Sequence, residues 1–247
     1  MGVAQHFSIV VLDIEASGSL SGPEKTAVRN DLYEIVTTAL DLSAVAAESV
    51  TVEDRGDGIF LLFDATVSKR QLLDPFLATI DEALRARRVG APALRLRMVV
   101  HHGEAVRDDH GSSGAALDLA FAMVDSEELR SALRDARGGR MAVVVPDELY
   151  HGVVRGYPSP DPGAFRMRRL GTKRGPLRTW VTVTGASEQP GSPRREPAVR
   201  PVDSTAVPVM RVDNRQMNKI KGDVGVVGGT NSGTINIGGR PHARGDH

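Results

Sequence analysis

Two helical segments with a predicted β-hairpin between them leave few folds open to this chain. The dipeptide Asp57-Gly58 is a strong short-range signal for a type I′ hairpin turn, and short apolar runs lie on both sides of it. Apolar residues repeat at helical spacing before the first run and after the second. The predicted elements, in chain order, are strand 7–14, helix 23–42, strands 49–53 and 59–63, helix 68–88 and strand 94–101.

This β-α-β-β-α-β order is that of the ferredoxin-like split motif, an α+β sheet with helices packed on one face. The order continues through several further elements before the composition of the chain changes. They are helix 114–136, strand 141–145, helix 146–155 and a last strand pair at 165–170 and 178–184. We therefore predict one α+β domain over residues 1–185.

The composition changes abruptly after Gly185. Residues 186–215 gather Pro, Arg and Ser without an apolar period, which predicts a disordered, partly extended linker. Residues 216–247 are rich in Gly, Asn and Thr, and their apolar residues are spaced as in short strands. We predict a β-forming tail that pairs with a protein partner or with another tail. The alternative is that the tail has no fixed structure.

Charge and cysteine content exclude several classes of function. Lys plus Arg and Asp plus Glu both number 31, so no overall field attracts nucleic acid or anionic lipid. The sequence contains 0 cysteines, which removes disulfides, thiolate metal sites and cysteine nucleophiles. The apolar run near the N-terminus is too short for a signal peptide or a membrane span. We expect a cytoplasmic protein that partners neither membrane nor nucleic acid.

Two carboxylates are predicted to meet at one rim of the sheet. Asp13 ends the first strand and Asp57 lies in the hairpin turn, and a ferredoxin-like sheet places that strand beside the hairpin. Such a pair suits a divalent cation that carries nucleotide phosphates, because Mg²⁺ prefers oxygen ligands. The residues alone are also compatible with a strand-end cap at Asp13 and a simple turn residue at Asp57.

The same residues resemble the catalytic domain of class III nucleotide cyclases. The stretch LDIEASG, with Asp13, is similar to the first metal motif of that family, and Gly56-Asp57 is similar to its second. Glu53 stands where the family selects the base, with Glu in guanylyl and Lys in adenylyl cyclases. The segment HHGEAV resembles the family's IHxGE segment, with Gly103 and Glu104 matching.

The resemblance covers about residues 6–185 and includes the closing strand, GTKRGPLRTWVTV. There the family places a basic residue on the triphosphate; Arg174 matches best, with Lys173 beside it. The family resemblance implies a homodimer that binds a purine nucleoside triphosphate with Mg²⁺ or Mn²⁺ on Asp13 and Asp57, and Glu53 favours GTP over ATP. The sequence is most similar to a divergent actinobacterial group of cyclase-like proteins.

Three positions depart from active members of the family. Where they carry VNLAARL, this chain reads AALDLAFAM, with Asp118 in place of the Asn and Ala122 in place of the Arg. The resemblance implies that these side chains, from the partner subunit, orient the ribose and stabilise charge on the α-phosphate. Losing such a cation costs about 10²-fold in rate or more. The second base-contacting position falls at Gly111, and Arg55 or Arg107 is a candidate replacement for the missing Arg.

We therefore predict a degenerate cyclase-like domain, a pseudoenzyme that binds GTP and a divalent cation and serves as a signalling sensor or scaffold. One alternative is an active nucleotide cyclase, a phosphorus-oxygen lyase in which Asp118 and Ala122 have been compensated. A further alternative is an interaction platform that assembles through its C-terminal tail.

Overall fold

The computed structural model describes residues 2–88, 90–172 and 175–186. Lys173 and Arg174, the predicted tail and the predicted linker beyond residue 186 lie outside these ranges. The strands are β1 (Ala4–Ile14), β2 (Val50–Asp54), β3 (Gly58–Asp64), β4 (Leu96–Asp108), β5 (Gly111–Ser113), β6 (Met141–Pro146), β7 (Arg166–Thr172) and β8 (Gly175–Thr184). The helices are α1 (Gly22–Leu42), α2 (Lys69–Gln71), α3 (Leu77–Arg85), α4 (Ala115–Val124), α5 (Glu127–Asp135) and α6 (Asp147–Gly152).

A mixed sheet forms the centre of the domain, with strand order β2-β3-β1-β4-β6-β8-β7 and β5 paired to the end of β4. β1 is antiparallel to both β3 and β4, whereas β4 and β6 are parallel. The run from Phe7 to Leu12 is buried throughout, because β1 lies between two strands and is covered on both faces. The predicted β-α-β-β-α-β order and the α+β class are confirmed.

Helices cover both faces of the sheet. Val10 and Leu12 of β1 pack in the core beneath α1 and α3, as the split motif predicts. Ile9 and Val11 pack in a second core under α4 and α5, which lie on the opposite face. Side chains alternate along a strand, so Asp13 lies on the α4/α5 face.

Two predicted helices are interrupted. Segment 114–136 forms α4 and α5, because the Ser126 side chain accepts from the Leu129 amide at 3.3 Å and caps the second helix. Segment 68–88 forms α2, a π-helical turn over Leu72–Phe76 and α3, with Pro75 inside the turn. None of the helices in the described ranges is long and apolar enough to cross a membrane.

The hairpin turn differs from the predicted type I′ turn at Asp57-Gly58. Its loop comprises Arg55, Gly56 and Asp57, and Gly56 takes the left-handed backbone conformation with φ of 80°. The Arg55 amide donates to the Gly58 carbonyl at 2.8 Å. Gly58 belongs to β3, where a Cβ atom would collide with the carbonyl oxygen of Leu12. This glycine therefore serves strand contact rather than the turn.

Candidate functional site

Asp13 and Asp57, the predicted metal ligands, border one cavity of about 210 Å³, which we call the carboxylate cavity. The register of β1 and β3 pairs Asp13 with Gly58, next to Asp57. The Ile14 amide donates to the Asp57 carbonyl at 3.0 Å, which ties the turn to the end of β1. The Ser17 hydroxyl donates to Asp57 Oδ2 at 2.8 Å and orients that carboxylate.

Arg97 of β4 is the direct partner of Asp13, and sequence reasoning missed it. Its Nη2 atom bonds Asp13 Oδ2, and both side chains are almost buried, at 10% and 15% exposure. Burial raises the pKa of Asp13 from 3.8 to about 6, although the Arg97 charge and hydrogen bond oppose the shift. The negative charges of Asp57 and Asp125 contribute to this rise in the pKa of Asp13. An additional cation between the two carboxylates would therefore be favourable.

The carboxylate pair supplies two oxygen ligands to a divalent cation in the cavity that both residues line. Oδ1 of Asp13 and Oδ1 of Asp57 accept no hydrogen bond within the described residues, so each carboxylate keeps one oxygen for a metal. Within the described ranges, no group of three or more His, Cys, Asp and Glu side chains has the geometry of a metal site. The remaining ligands would thus come from water and phosphate oxygens, as is usual for Mg²⁺.

Glu53, the predicted base-selecting residue, lies on the same face of the sheet as Asp13. It pairs with Phe60, which packs in the core under α4. The Ser112 hydroxyl donates to Glu53 Oε1 at 2.5 Å, so β5 lies across the end of β2. A Cβ atom at Gly111 would lie 3.4 Å from Glu53 Oε2. The structure thus brings Glu53 and Gly111 together. Because glycine has no side chain, the side chain that bonds Glu53 is that of Ser112.

The predicted degenerate positions, Asp118 and Ala122, lie outside this site within a single subunit. Both are exposed, and their spacing of four residues places them on one side of α4. Neither residue lines the carboxylate cavity. They face away from the core.

The two candidate replacement arginines occupy different places. The Arg55 guanidinium lies 3.7 Å from the centroid of the Phe121 ring, and both residues line the carboxylate cavity. Arg107 instead donates to the Thr51 hydroxyl at 2.5 Å, on the outer strand pair. Arg55 is therefore the one of the two that borders Asp13 and Asp57.

A groove of about 360 Å³ lies beside the carboxylate cavity. Arg97 lines it together with two further arginines, Arg130 and Arg134. The loop of residues 14–18 forms the other wall of this arginine groove. Arg130 pairs with Asp125 at 3.0 Å and Arg134 with Glu127 at 3.1 Å, and these four side chains are largely exposed. The groove was not predicted, because Arg97 of β4 precedes Arg130 of α5 by 33 residues in the sequence and meets it only in the folded domain.

Gly103 and Glu104 also carried the family resemblance, and both contact neighbouring elements of the domain. Gly103 has φ of 156°, and a Cβ atom there would collide with the Ala116 side chain, so the glycine lets α4 pack on β4. Glu104 Oε1 lies 3.2 Å from Nδ1 of His6. Neither residue borders the carboxylate cavity.

This arrangement can be compared with solved structures. The domain is similar to the guanylyl cyclase Cya2, with 19% identity, a TM-score of 0.51 and coverage of 77% of this chain and 97% of that one. The fold is that of a class III cyclase catalytic domain. The cyclase fold also appears in an adenylate/guanylate cyclase/hydrolase from Silicibacter pomeroyi, with 17% identity, a TM-score of 0.53 and coverage of 74% and 99%.

A third structure with the cyclase fold is the guanylate cyclase domain of RhGC from Catenaria anguillulae in complex with GTP. It is 15% identical, with a TM-score of 0.51 and coverage of 75% of this chain and 100% of that one. No protein-family model matches the sequence, and neither does any curated protein. The narrower resemblance to an actinobacterial group has no support in these comparisons.

Proposed function

We propose that this cyclase-fold domain binds a purine nucleoside triphosphate, GTP in preference to ATP, together with Mg²⁺ or Mn²⁺. It acts as a signalling sensor or scaffold with impaired chemistry. The observation that carries the proposal is the placement of Asp13 and Glu53 on one face of the sheet, with Asp57 at its rim. In this arrangement Asp13 and Asp57 would bind the metal ion, and Glu53 would bind the base of the same nucleotide.

The base preference rests on Glu53 and Ser112. Guanine presents N–H donors at N1 and N2 beside the O6 acceptor, whereas adenine presents an acceptor at N1. The Glu53 carboxylate can only accept, and the Ser112 hydroxyl, which donates to its Oε1 atom, holds it in place. The carboxylate complements the N–H donors of guanine, and an adenine N1 atom facing Glu53 would meet unfavourable charge.

The phosphates are assigned to the arginine groove. It adjoins the carboxylate cavity through Arg97, which lines both. Guanidinium groups suit phosphate oxygens because they donate in pairs and keep their charge. Lys173 and Arg174 stay predicted contacts for the triphosphate.

Asp13 and Asp57 would hold the cation through their Oδ1 oxygens. When bound, the cation neutralises phosphate charge and lowers the pKa of a coordinated oxygen. Ser17 keeps the Asp57 carboxylate oriented toward it through the 2.8 Å hydrogen bond. Arg97 supplies the charge that keeps Asp13 ionised while the site lacks a nucleotide.

Two further parts of the proposal, the impaired chemistry and the homodimer, are based on the residues of α4. In the proposed homodimer its exposed side would bring Asp118 and Ala122 to the partner's nucleotide. Asp118 would add negative charge near the phosphates, and Ala122 offers no cation to a developing charge. Slow cyclisation or none is the consequence.

A second candidate function, an active nucleotide cyclase, is favoured by Arg55. Its guanidinium is held against Phe121 at the carboxylate cavity, so the site has a cation within one chain. In that reaction the ribose 3′-oxygen forms a bond to the α-phosphorus and gives its proton to water, and the phosphoanhydride bond between the α- and β-phosphates breaks to release pyrophosphate. Arg55 would then stabilise the charge that Ala122 does not.

Calorimetric titration of the protein with GTP and with ATP, each with Mn²⁺, tests the proposal. GTP should bind more tightly than ATP, and Asp57→Ala should weaken GTP binding about 10-fold or more, since a metal ligand is lost. Asp41→Ala, an exposed change on α1, is the matched control. GTP binding that survives both Asp13→Ala and Asp57→Ala would contradict the proposal.

Mass spectrometry of the same mixtures separates the two candidates. Intact triphosphate is expected for the binding domain. A cyclic product that disappears in Asp57→Ala and in Arg55→Gln would instead establish the active cyclase.

A further inference from the structure

A larger cavity, of about 600 Å³, lies on the α1 side of the sheet. Its walls are α1 from Lys25 to Tyr33, the loop that follows Ile14, and the hairpin residues Gly56 and Asp57. We call it the α1 cavity. Its volume is within the range of about 300 to 1,000 Å³ that is typical of small-molecule sites.

The α1 cavity is separate from the carboxylate cavity. Ile14 belongs to the core beneath α1 and α3, whereas Asp13 faces α4 and α5. The two cavities therefore lie toward opposite faces of the sheet. They share Asp57, in the turn at the rim.

A stripe of three side chains on α1 gives this cavity its chemistry. Lys25, Arg29 and Tyr33 are four residues apart, so they lie on successive turns of one helix side. The Lys25 ammonium makes no ion pair with any described residue, and its side chain is exposed. Arg29 pairs with Asp54 and lies 6.0 Å from the centroid of the Tyr33 ring. The stripe thus runs from two cations to an aromatic ring.

The rest of the lining completes a site of mixed character. Val28 and Ile14 also line the cavity but are only 1% and 2% exposed, so the apolar surface comes from the Tyr33 ring, and Asn30 offers an amide. Among the described lining residues the one carboxylate is Asp57, and the Ser17 hydroxyl bonds its Oδ2. A single carboxylate beside two cations does not suit a metal ion. Because Arg29 is already paired with Asp54, the unpaired positive charge among the described lining residues is that of Lys25, which suits an anion. The Tyr33 ring suits a flat apolar group.

We propose that the α1 cavity is a second ligand site, for a small molecule that joins a flat apolar ring to a phosphate or carboxylate group. The anionic group pairs with Lys25 and Arg29. The ring lies against Tyr33. This site is distinct from the proposed nucleotide site at the carboxylate cavity.

Calorimetric titration of the full chain with phenyl phosphate and with benzoate tests the site. At least one probe should bind saturably, and inorganic phosphate and benzyl alcohol should bind about 10-fold more weakly, because each lacks one half of the recognised chemistry. Lys25→Gln should weaken binding about 10-fold, and Tyr33→Leu about 3-fold. The matched control Arg155→Gln, at an exposed arginine in the turn that follows α6, should change nothing.

Asp13→Asn separates this site from the nucleotide site. The variant should bind the probe as the unchanged protein does, because Asp13 faces the other side of the sheet. Loss of the probe in Asp13→Asn would place it in the carboxylate cavity and overturn the proposal. So would the absence of saturable binding up to about 10 mM, binding that survives both Lys25→Gln and Tyr33→Leu, or equal affinity for inorganic phosphate. Circular dichroism confirms that each variant is folded.

Discussion

At the scale of single residues, Asp13 of β1 and His101 of β4 are both buried titratable side chains, but their environments differ. Asp13 is paired with Arg97, and the pair places opposite charges where the sheet is almost closed to water. His101 of β4 is 5% exposed, and its buried Nδ1 has no hydrogen-bond partner within the described residues. Burial lowers the pKa of His101 from 6.5 to about 4, so the ring stays neutral. The free energy of unfolding of the domain therefore depends on pH.

The first prediction concerns acid unfolding. Protonation of His101 is easier in the unfolded chain, so its contribution to stability is complete above pH 6.5 and is lost as the pH falls toward 4. This loss is about 3 kcal/mol over that interval. Of the charged groups around the ring, His102 and His6 oppose protonation, and Glu148 favours it.

Urea unfolding at pH 7, 6, 5 and 4 measures the effect. His101→Leu should flatten the pH dependence, because an apolar side chain does not titrate. His102→Leu, at a more exposed neighbouring position, should leave most of the slope in place. A slope unchanged in His101→Leu would assign acid sensitivity to another group.

At the scale of elements, the sequence was sufficient for most strands and helices. Strand 7–14 and helix 23–42 were predicted within a few residues, because their periodicity and the capping residue Ser21 are local signals. The turn was misplaced because Gly56 and Gly58 are both compatible with a local hairpin, and only the approach of β1 separates their roles. The convergence of Asp13 and Asp57 followed from the strand order.

Other parts of the candidate site were beyond local signals. Arg97 meets Asp13 across 84 residues of sequence, and Ser112 meets Glu53 across 59. These meetings depend on strand register, which periodicity does not fix to one residue. The short strand β5 lacks an apolar run, so nothing in its composition predicted it.

The second prediction concerns the two glycines of the hairpin. Gly58→Ala should lower the free energy of unfolding by about 3 kcal/mol, because its Cβ would collide with the backbone of β1. Gly56→Ala should lower it by about 1 kcal/mol, since space is open there and only the left-handed conformation is unfavourable. Gly152→Ala, in open space at the end of α6, is the control. Chemical denaturation measures all three, and a larger effect at Gly56 than at Gly58 would contradict this account.

At the scale of the whole molecule, every buried core residue in the described part of the chain precedes Thr184, the last residue of β8. Helices on both faces complete the two cores within residues 2–186. The nucleotide site proposed above is also contained in this range, apart from Lys173 and Arg174. We therefore expect residues 1–187 to fold and to bind nucleotide by themselves.

The third prediction concerns the chain after Ser187. A truncated protein ending at Ser187 should retain its melting temperature and its GTP affinity. Association through the tail, if the interaction-platform alternative holds, should disappear on truncation, as light scattering after gel filtration would detect. Loss of GTP binding on truncation would show that the tail contributes to the nucleotide site.

Asp57 borders both proposed sites, one toward each face of the sheet. An anion in the α1 cavity would make the potential at Asp57 more negative and so favour a cation on its other side. Thermodynamic linkage then requires the reverse effect to be equal in free energy, with bound metal raising the affinity for the anion by the same factor. A single carboxylate in a three-residue turn would in this way couple two ligands that never touch.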